Sequence, residues 1–454
     1  MKPRPTVGII SLGCAKNQVD SQMMADWLRA DGFELAQAGE NADILLVNTC
    51  AFIESARRES DEAIREACDM KRKGRAMAVI VAGCLPQRYA GRIRIGYPDV
   101  DAFVGIDAAD RIARIARAAL SGRKAGQVAD IPERPCRVFE KTGSGVVFST
   151  GAYAYLKIAD GCGRRCAFCA IPEIRGPLRS RSVSSLAREA QELINRGFRE
   201  ITLVAQDVTS FGRDKGEKRG LEKLLRTLDS LDGCFWIRVM YAHPAGVTVS
   251  LLETMASLKH VVRYLDVPIQ HADPDVLARM GRANTAQDVI SLPDRARRAM
   301  PDMALRTTCL VGHPGEDEKA LERLMDFVKI ARFDHLGVFA YSPEEGTASA
   351  SLPDRPPPEI AVERRNRLLA LQTAIVREKQ ETLVNTGAVV LLERQDRSRR
   401  GTWLGRSFRE APEVDGWVRV SRTGPRAGPG DFTKVLYTGF EGCDMLAEST
   451  DRGD

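Results

Sequence analysis

Gly161-Cys162-Gly163-Arg164-Arg165-Cys166-Ala167-Phe168-Cys169-Ala170-Ile171-Pro172, or GCGRRCAFCAIP, places three cysteines in eight residues with the spacing CxxxCxxC. A structural zinc site, or a four-iron cube held by protein alone, takes four donors. Three thiols on one tight loop therefore leave one iron of such a cube open, and an open coordination position is where a metal does chemistry. Gly163 lets the backbone turn, and Phe168 can shield a cluster from water. The competing reading is a zinc knuckle with a distant fourth ligand, or unrelated core cysteines. No second CxxC and no His pair lies nearby to complete it.

The loop follows directly on an apolar run, YAYLKIADGC (153–162). Five more such runs come after it, each beyond a helical stretch: EITLVAQD, CFWIRVMYAH, RYLDVPIQH, ALRTTCLVGHPG and HLGVFAYSP. Six βα units in about 190 residues predict an incomplete TIM-like barrel over residues 151–382, with its chemistry at the C-terminal strand ends. Those ends carry Gln206 and Asp207, His243, Gln270 and His271, Tyr341 and Glu345. Arg306, at the start of the fifth strand, reads as structural. Arg164, Arg165, Arg175, Arg179 and Arg181 crowd the cysteine loop. They suit a carboxylate or simply make a solvated basic face.

Upstream, residues 1–125 show the same alternation. TVGIISLGC, ADILLVNTC and AMAVIVAGC end at Cys14, Cys50 and Cys84. Continuous apolar runs between helices indicate a buried parallel sheet. In such sheets ligands bind at the carboxyl ends of strands, so these three thiols are expected to converge on one rim. Residues 126–150 read as a connector, with IPERPCR and KTGSG supplying Pro and Gly. Beyond the proline-rich SLPDRPPPEI and a charged helix, residues 383–454 predict a small all-β barrel or sandwich. That segment holds 11 Lys or Arg against 11 Asp or Glu, so its charge gives no reason to expect phosphate binding.

The whole chain, 454 residues with a formal charge of +6, permits a nucleic-acid-rich partner without demanding one. Its N-terminal apolar run is too short for a membrane span, and no cleavage site follows. A cytoplasmic protein without membrane association is expected. Its 11 cysteines then read as metal ligands, reactive thiols or core residues rather than disulfides. Cys68, Cys136, Cys234, Cys309 and Cys443 read as ordinary core or surface residues.

CxxxCxxC with an aromatic before the last Cys, after the first strand of a partial barrel, resembles the radical S-adenosylmethionine superfamily. SLGCAKNQVDSQ, NTCAFIESA, AGCLPQRY, GCGRRCAFCAIPEIRGPLRSR, YLDVPIQHA, LRTTCLVGHPGE and VFAYSPEEGT occur in the order of its methylthiotransferases. The resemblance implies a [4Fe-4S] cluster on Cys162, Cys166 and Cys169, whose fourth ligand is S-adenosyl-L-methionine. It implies a second [4Fe-4S] cluster on Cys14, Cys50 and Cys84, and a TRAM domain at the C-terminus. Phe168, Gln206, Asp207, Gln270 and the turn GHPGE, with Gly312, Gly315 and Glu316, are implied at the S-adenosylmethionine pocket.

Within the family, SLGCAKNQVDS and LGRSFREAPEVDG are similar to the branch that modifies an aspartate of ribosomal protein S-twelve. The implied reaction is transfer of a methylthio group to the aspartate β-carbon. An electron donor such as flavodoxin or ferredoxin is implied as a second partner. The alternative within the family is the branch that modifies an adenosine of tRNA, for which a basic rather than neutral last domain is expected. An alternative of another class is a non-catalytic iron–sulfur carrier. Ala15, Gln18 and His313 depart from the usual Pro, Leu and Phe of the branch, and His313 falls beside the expected cofactor turn.

Overall fold

Strands form where the apolar runs predict them, because helices cover both faces of the first sheet. The computed structural model describes residues 4–36, 41–121, 128–140 and 145–451. Strands β1 (Thr6–Ser11), β2 (Glu34–Leu35), β3 (Ile44–Thr49), β4 (Ala78–Gly83), β5 (Ala102–Val104) and β6 (Val128–Asp130) pair in the order β2-β1-β3-β4-β5-β6. All pairings are parallel. Helices Ala15–Ala30 and Ile112–Leu120 bury Met24, Leu28, Ile112 and Ile115 against Ile44, Leu46 and Ile80. Helix Glu54–Arg72 buries Ile64 and Ala67 against Leu45, Val47 and Val79 on the opposite face. This two-sided burial makes β3 and β4 apolar without alternation. Strand β6 lies inside the stretch expected to be a connector and extends the sheet at its edge. Residues 126, 127 and 141–144 of that stretch lie outside the described residues.

The second sheet is β7 (Tyr153–Lys157), β10 (Glu200–Val204), β11 (Trp236–Val239), β12 (Val261–Asp266), β13 (Ala304–Val311) and β14 (His335–Ala340), paired in sequential order. It is parallel throughout and curls into the expected six-stranded partial barrel. Between β7 and β10, β8 (Ala159–Asp160) and β9 (Arg179–Ser180) form a short antiparallel ribbon that closes the cysteine loop at its base. Ala154, Leu156, Ile201, Leu203, Ile237 and Val239 face outward onto the helices. The alternate residues Tyr153, Tyr155, Glu200, Arg238, Tyr264 and Arg306 face the concave side, where polar groups meet polar partners.

Those partners come from the last domain. Strands β15 (Gly387–Gln395), β16 (Trp403–Arg406), β17 (Val418–Ser421), β18 (Phe432–Glu441) and β19 (Asp444–Ser449) close a barrel in the order β15-β16-β17-β19-β18. Val390, Leu392, Val418, Val420, Val435 and Tyr437 fill it. Helix Pro358–Leu383 leads into it and packs along β14. The segment after β16, residues 407–415, enters the concave side of the partial barrel. Tyr153 and Tyr155 donate to the Glu413 carboxylate at 2.6 and 3.0 Å, and Tyr264 donates to Asp415 at 2.7 Å. Arg238 donates to the Phe408 carbonyl at 2.7 Å. Among the described residues no helix is long and apolar enough to cross a membrane.

Candidate functional site: six thiols around one cavity

The C-terminal ends of β1, β3 and β4 deliver Cys14, Cys50 and Cys84. The loop after β7 delivers Cys162, Cys166 and Cys169. All six line one cavity of about 410 Å³ between the first sheet and the mouth of the partial barrel. Gly13 and Gly83, both at positive φ, make the close approach possible. A Cβ on Gly13 would lie 2.7 Å from that of Cys50, and one on Gly83 would lie 2.2 Å from the Asn48 side-chain oxygen. Only glycine fits there. All the described cysteines are free thiols, with Cys68 and Cys309 buried and Cys136, Cys234 and Cys443 exposed, as expected for core and surface positions.

The electrostatics differ from thiol to thiol. Burial pushes Cys84 and Cys169 up to about 12 and Cys162 up to about 11. Cys14 is also penalised by burial, yet the nearby charges of Lys16 and Arg175 carry it below its ordinary value. Thiols raised this far are neutral at pH 7. A metal that binds them must displace their protons.

Around the sulfurs, cations are held in fixed positions. Arg164 pairs with Asp207 at 2.8 Å, and Asp207 also accepts from Thr209 and Ser210. The Arg282 Nε–H points at Cys166 Sγ at 3.3 Å, while its Nη1 donates to the Pro268 carbonyl at 2.8 Å. Arg175 Nη2 donates to Asn17 Oδ1 at 2.6 Å and approaches Cys84 Sγ at 3.5 Å. Its Nη1 donates to Asp160 at 3.0 Å. Phe52, Phe168, Ile171 and Phe339 supply apolar wall.

Of the residues expected at the cofactor pocket, Phe168, Gln206, Asp207 and Gln270 line the cavity, as does His243. The Gln206 side-chain oxygen is buried with no hydrogen-bond partner among the described residues, so it can receive a donor from a ligand. Gln270 sits at φ +71, where its backbone bridges to β13 through Thr308 and Leu310. Gly312, Gly315 and Glu316, expected at the same pocket, are not among the residues lining this cavity. Glu316 is buried, accepts from the Gly312 N–H at 2.8 Å and from Arg364 at 3.0 Å, and ties the turn to helix Pro358–Leu383. A Cβ on Gly312 would strike Ala361 at 2.3 Å, and one on Gly315 would strike Arg279 at 2.5 Å. These glycines are required by packing. His313, the departure beside them, is buried; its Nε2 lies 2.8 Å from the Ser349 hydroxyl.

The arginines of the loop divide similarly. Arg179 donates to the carbonyls of Arg137, Pro135, Arg175 and Pro177, and Arg181 pairs with Glu189 at 2.7 Å. Both are buried, which excludes a solvated basic face at those positions. Arg306 is structural as expected, bridging Asp266 at 3.2 Å and Asp415 at 3.3 Å. His271 is fully buried behind the cavity wall, its Nδ1 accepting the Asp273 N–H. Sequence reasoning missed Lys16, Asn17, Tyr241 and Arg282. Lys16 and Asn17 adjoin Cys14 and were within reach of the same argument. Tyr241 and Arg282 had no such marker.

The donor set fits iron–sulfur clusters. Two trios of thiols, each on its own domain, face one enclosed space with cationic N–H groups directed at two of the sulfurs.

Comparison with known proteins matches three regions of the chain. Residues 6–105 match the model of Uncharacterized protein family UPF0004, residues 156–328 the Radical SAM superfamily, and residues 387–449 the TRAM domain. The chain is 42% identical over 444 residues to the ribosomal protein uS12 methylthiotransferase RimO of Syntrophus aciditrophicus, covering 98% of each. It is 40% identical over 446 residues to that of Symbiobacterium thermophilum, covering 98% of this chain and 91% of the relative. Among solved structures, the radical S-adenosylmethionine methyltransferase TsrM of Kitasatospora setae shares the fold, with a TM-score of 0.55, 14% identity and 77% of each chain covered. The three matched regions and the near full-length relatives establish that this chain belongs to the RimO family of radical SAM methylthiotransferases.

Proposed function

We propose that this protein transfers a methylthio group to the β-carbon of an aspartate in ribosomal protein uS12, using S-adenosyl-L-methionine and two [4Fe-4S] clusters. The observation that carries the reading is the shared cavity. Thiols from two different domains line the same space, and a hand-off between two cofactors requires such proximity. Cys162, Cys166 and Cys169 would hold one cluster, and Cys14, Cys50 and Cys84 the other. When bound, these groups supply one-electron cleavage of S-adenosylmethionine and delivery of sulfur.

The chain's own residues then have definable tasks. Arg282 and Arg175 place N–H donors against Cys166 and Cys84, and hydrogen bonds to cluster sulfurs tune potential. The Arg164–Asp207 pair fixes the loop and keeps Asp207 ionised, since Arg164 and the Ser210 and Thr209 hydroxyls outweigh its burial. Gln206 offers an unfilled acceptor to a donor on the ligand. Phe52, Phe168, Ile171 and Phe339 exclude water from reactive species. A neutral last domain supports a protein substrate over tRNA.

The deciding experiment is mass spectrometry of small-subunit ribosomal proteins from cells with and without the gene. A methylthio mass addition on one uS12 aspartate, lost with the gene, is expected. A modified tRNA adenosine with unmodified uS12 would replace this reading with the other branch.

A further inference from the structure

Four cations line the cavity, and three have partners. Arg164 pairs with Asp207, and Arg175 pairs with Asp160 and Asp20. Arg282 is held by the Pro268 carbonyl and Cys166. Lys16 is different. Its side chain is buried, with the residue 8% exposed, and lines the cavity. Among the described residues it has no carboxylate within salt-bridge distance. Its ammonium rests over the Tyr241 ring, 3.4 Å from the centroid. The Asp266 carboxylate in the same region is occupied by Arg306 at 3.2 Å and by the Tyr241 N–H at 3.0 Å.

The Cys14 sulfur is near enough for the Lys16 charge to lower it, but among the described residues no group of the chain accepts a hydrogen bond from the ammonium, so its N–H donors face the cavity open to an anionic group on a ligand. Tyr241 strengthens the point. It occupies φ +62, a region that costs a non-glycine residue of order 1–3 kcal/mol. Hydrogen bonds from its N–H to Asp266 and to its carbonyl from Val208 hold it there. The strained residue is the one that carries the ring beneath the ammonium.

Resting on the function proposed above, we infer that Lys16 is the specificity-determining cation that receives the side-chain carboxylate of the target aspartate. That carboxylate is bonded to the reacting β-carbon. Gripping it fixes the carbon that must be reached and rejects an uncharged amide in its place.

The test uses the full chain, anaerobically reconstituted, with uS12 and with uS12 carrying Asn at the target position. Binding is read by fluorescence anisotropy, alongside iron per chain and the affinity for S-adenosylmethionine. Wild type is expected to prefer the Asp form by about tenfold or more. Lys16→Met and Lys16→Gln should each reduce that preference to about twofold, while Lys16→Arg retains most of it. Iron content and S-adenosylmethionine affinity should stay at wild-type values.

Equal preference in wild type and both neutral variants overturns the assignment, and so does a wild type that binds both forms alike. Loss of iron in the neutral variants would make Lys16 a support for the Cys14 trio. Weakened S-adenosylmethionine binding would assign it to that cofactor's carboxylate. Either outcome overturns the inference. A wild type that binds neither form of uS12 counts against the proposed function itself.

Discussion

Arg175 joins two domains through one guanidinium. It donates to Asn17 and Asp20 of the first domain and Asp160 of the second, and it lies against Cys84. The two trios nevertheless have separable tasks under the proposed function. Cys162→Ala is expected to abolish cleavage of S-adenosylmethionine, measured as 5′-deoxyadenosine. Cys50→Ala should leave cleavage measurable and stop methylthio transfer; normal transfer in that variant would remove the second cluster from the scheme.

A second residue makes a pH prediction. Glu200 is fully buried, and burial alone would raise its carboxyl. Arg238 and Arg406, at 2.7 Å each, outweigh that and hold it at about 2, below its ordinary 4.5. A depressed carboxyl contributes stability above pH 4.5 that is lost as pH falls toward about 2. The cluster-free wild type should lose about 3 kcal/mol across that window, from the size of the shift, beyond what Glu200→Gln loses, measured by urea unfolding. At neutral pH the variant should be less stable by about 3–5 kcal/mol, because buried guanidiniums lose a partner.

Elements explain which parts of the site were legible in sequence. Cys14, Cys50 and Cys84 could be placed because a strand end is a position in space as well as in sequence. The turn Gly312–Glu316 follows a strand end too, yet its glycines answer to Ala361 and Arg279, residues that no local pattern links to it. Arg179 and Arg181 read as surface charge because nothing local reveals that four carbonyls or Glu189 await them.

The ribbon of β8 and β9 is the element on which the cysteine loop depends. Gly161 leaves β8 at φ +72, and a Cβ there would meet the Pro177 carbonyl oxygen at 2.0 Å and that of Gly176 at 2.7 Å. Gly161→Ala should force the ribbon apart, at a cost of about 1–3 kcal/mol from backbone strain alone. The expected readout is about half the wild-type iron after reconstitution, with the Cys14 trio still loaded. Full iron would show that the loop tolerates the change.

At the scale of the molecule, the first domain is pinned to the barrel mouth by Glu344. This residue follows β14, is 2% exposed, and accepts from Arg57, from Arg88 at 2.9 Å and from the Glu54 N–H at 3.0 Å. Arg92 adds an exposed pair with Glu345, which is worth little in water. Glu344→Gln should loosen the docking by about 3–5 kcal/mol. Calorimetry should then resolve two transitions, and methylthio transfer should fall further than S-adenosylmethionine cleavage. A single unshifted transition would mean that the pin is dispensable. Glu54, Arg57 and Arg88 lie 290, 287 and 256 residues from Glu344 in sequence, so neither the docking nor its consequence was visible there.

The segment 407–415 gives the third domain a role unlike that of a detachable handle. By setting Glu413 and Asp415 against Tyr153, Tyr155, Tyr264 and Arg306, it stoppers the lower end of the half-barrel. Access to the six thiols is then expected from the sulfur rim rather than through the base of the half-barrel. Under the proposed function, the target aspartate is then expected to approach from the sulfur rim on a projecting tip of its own protein.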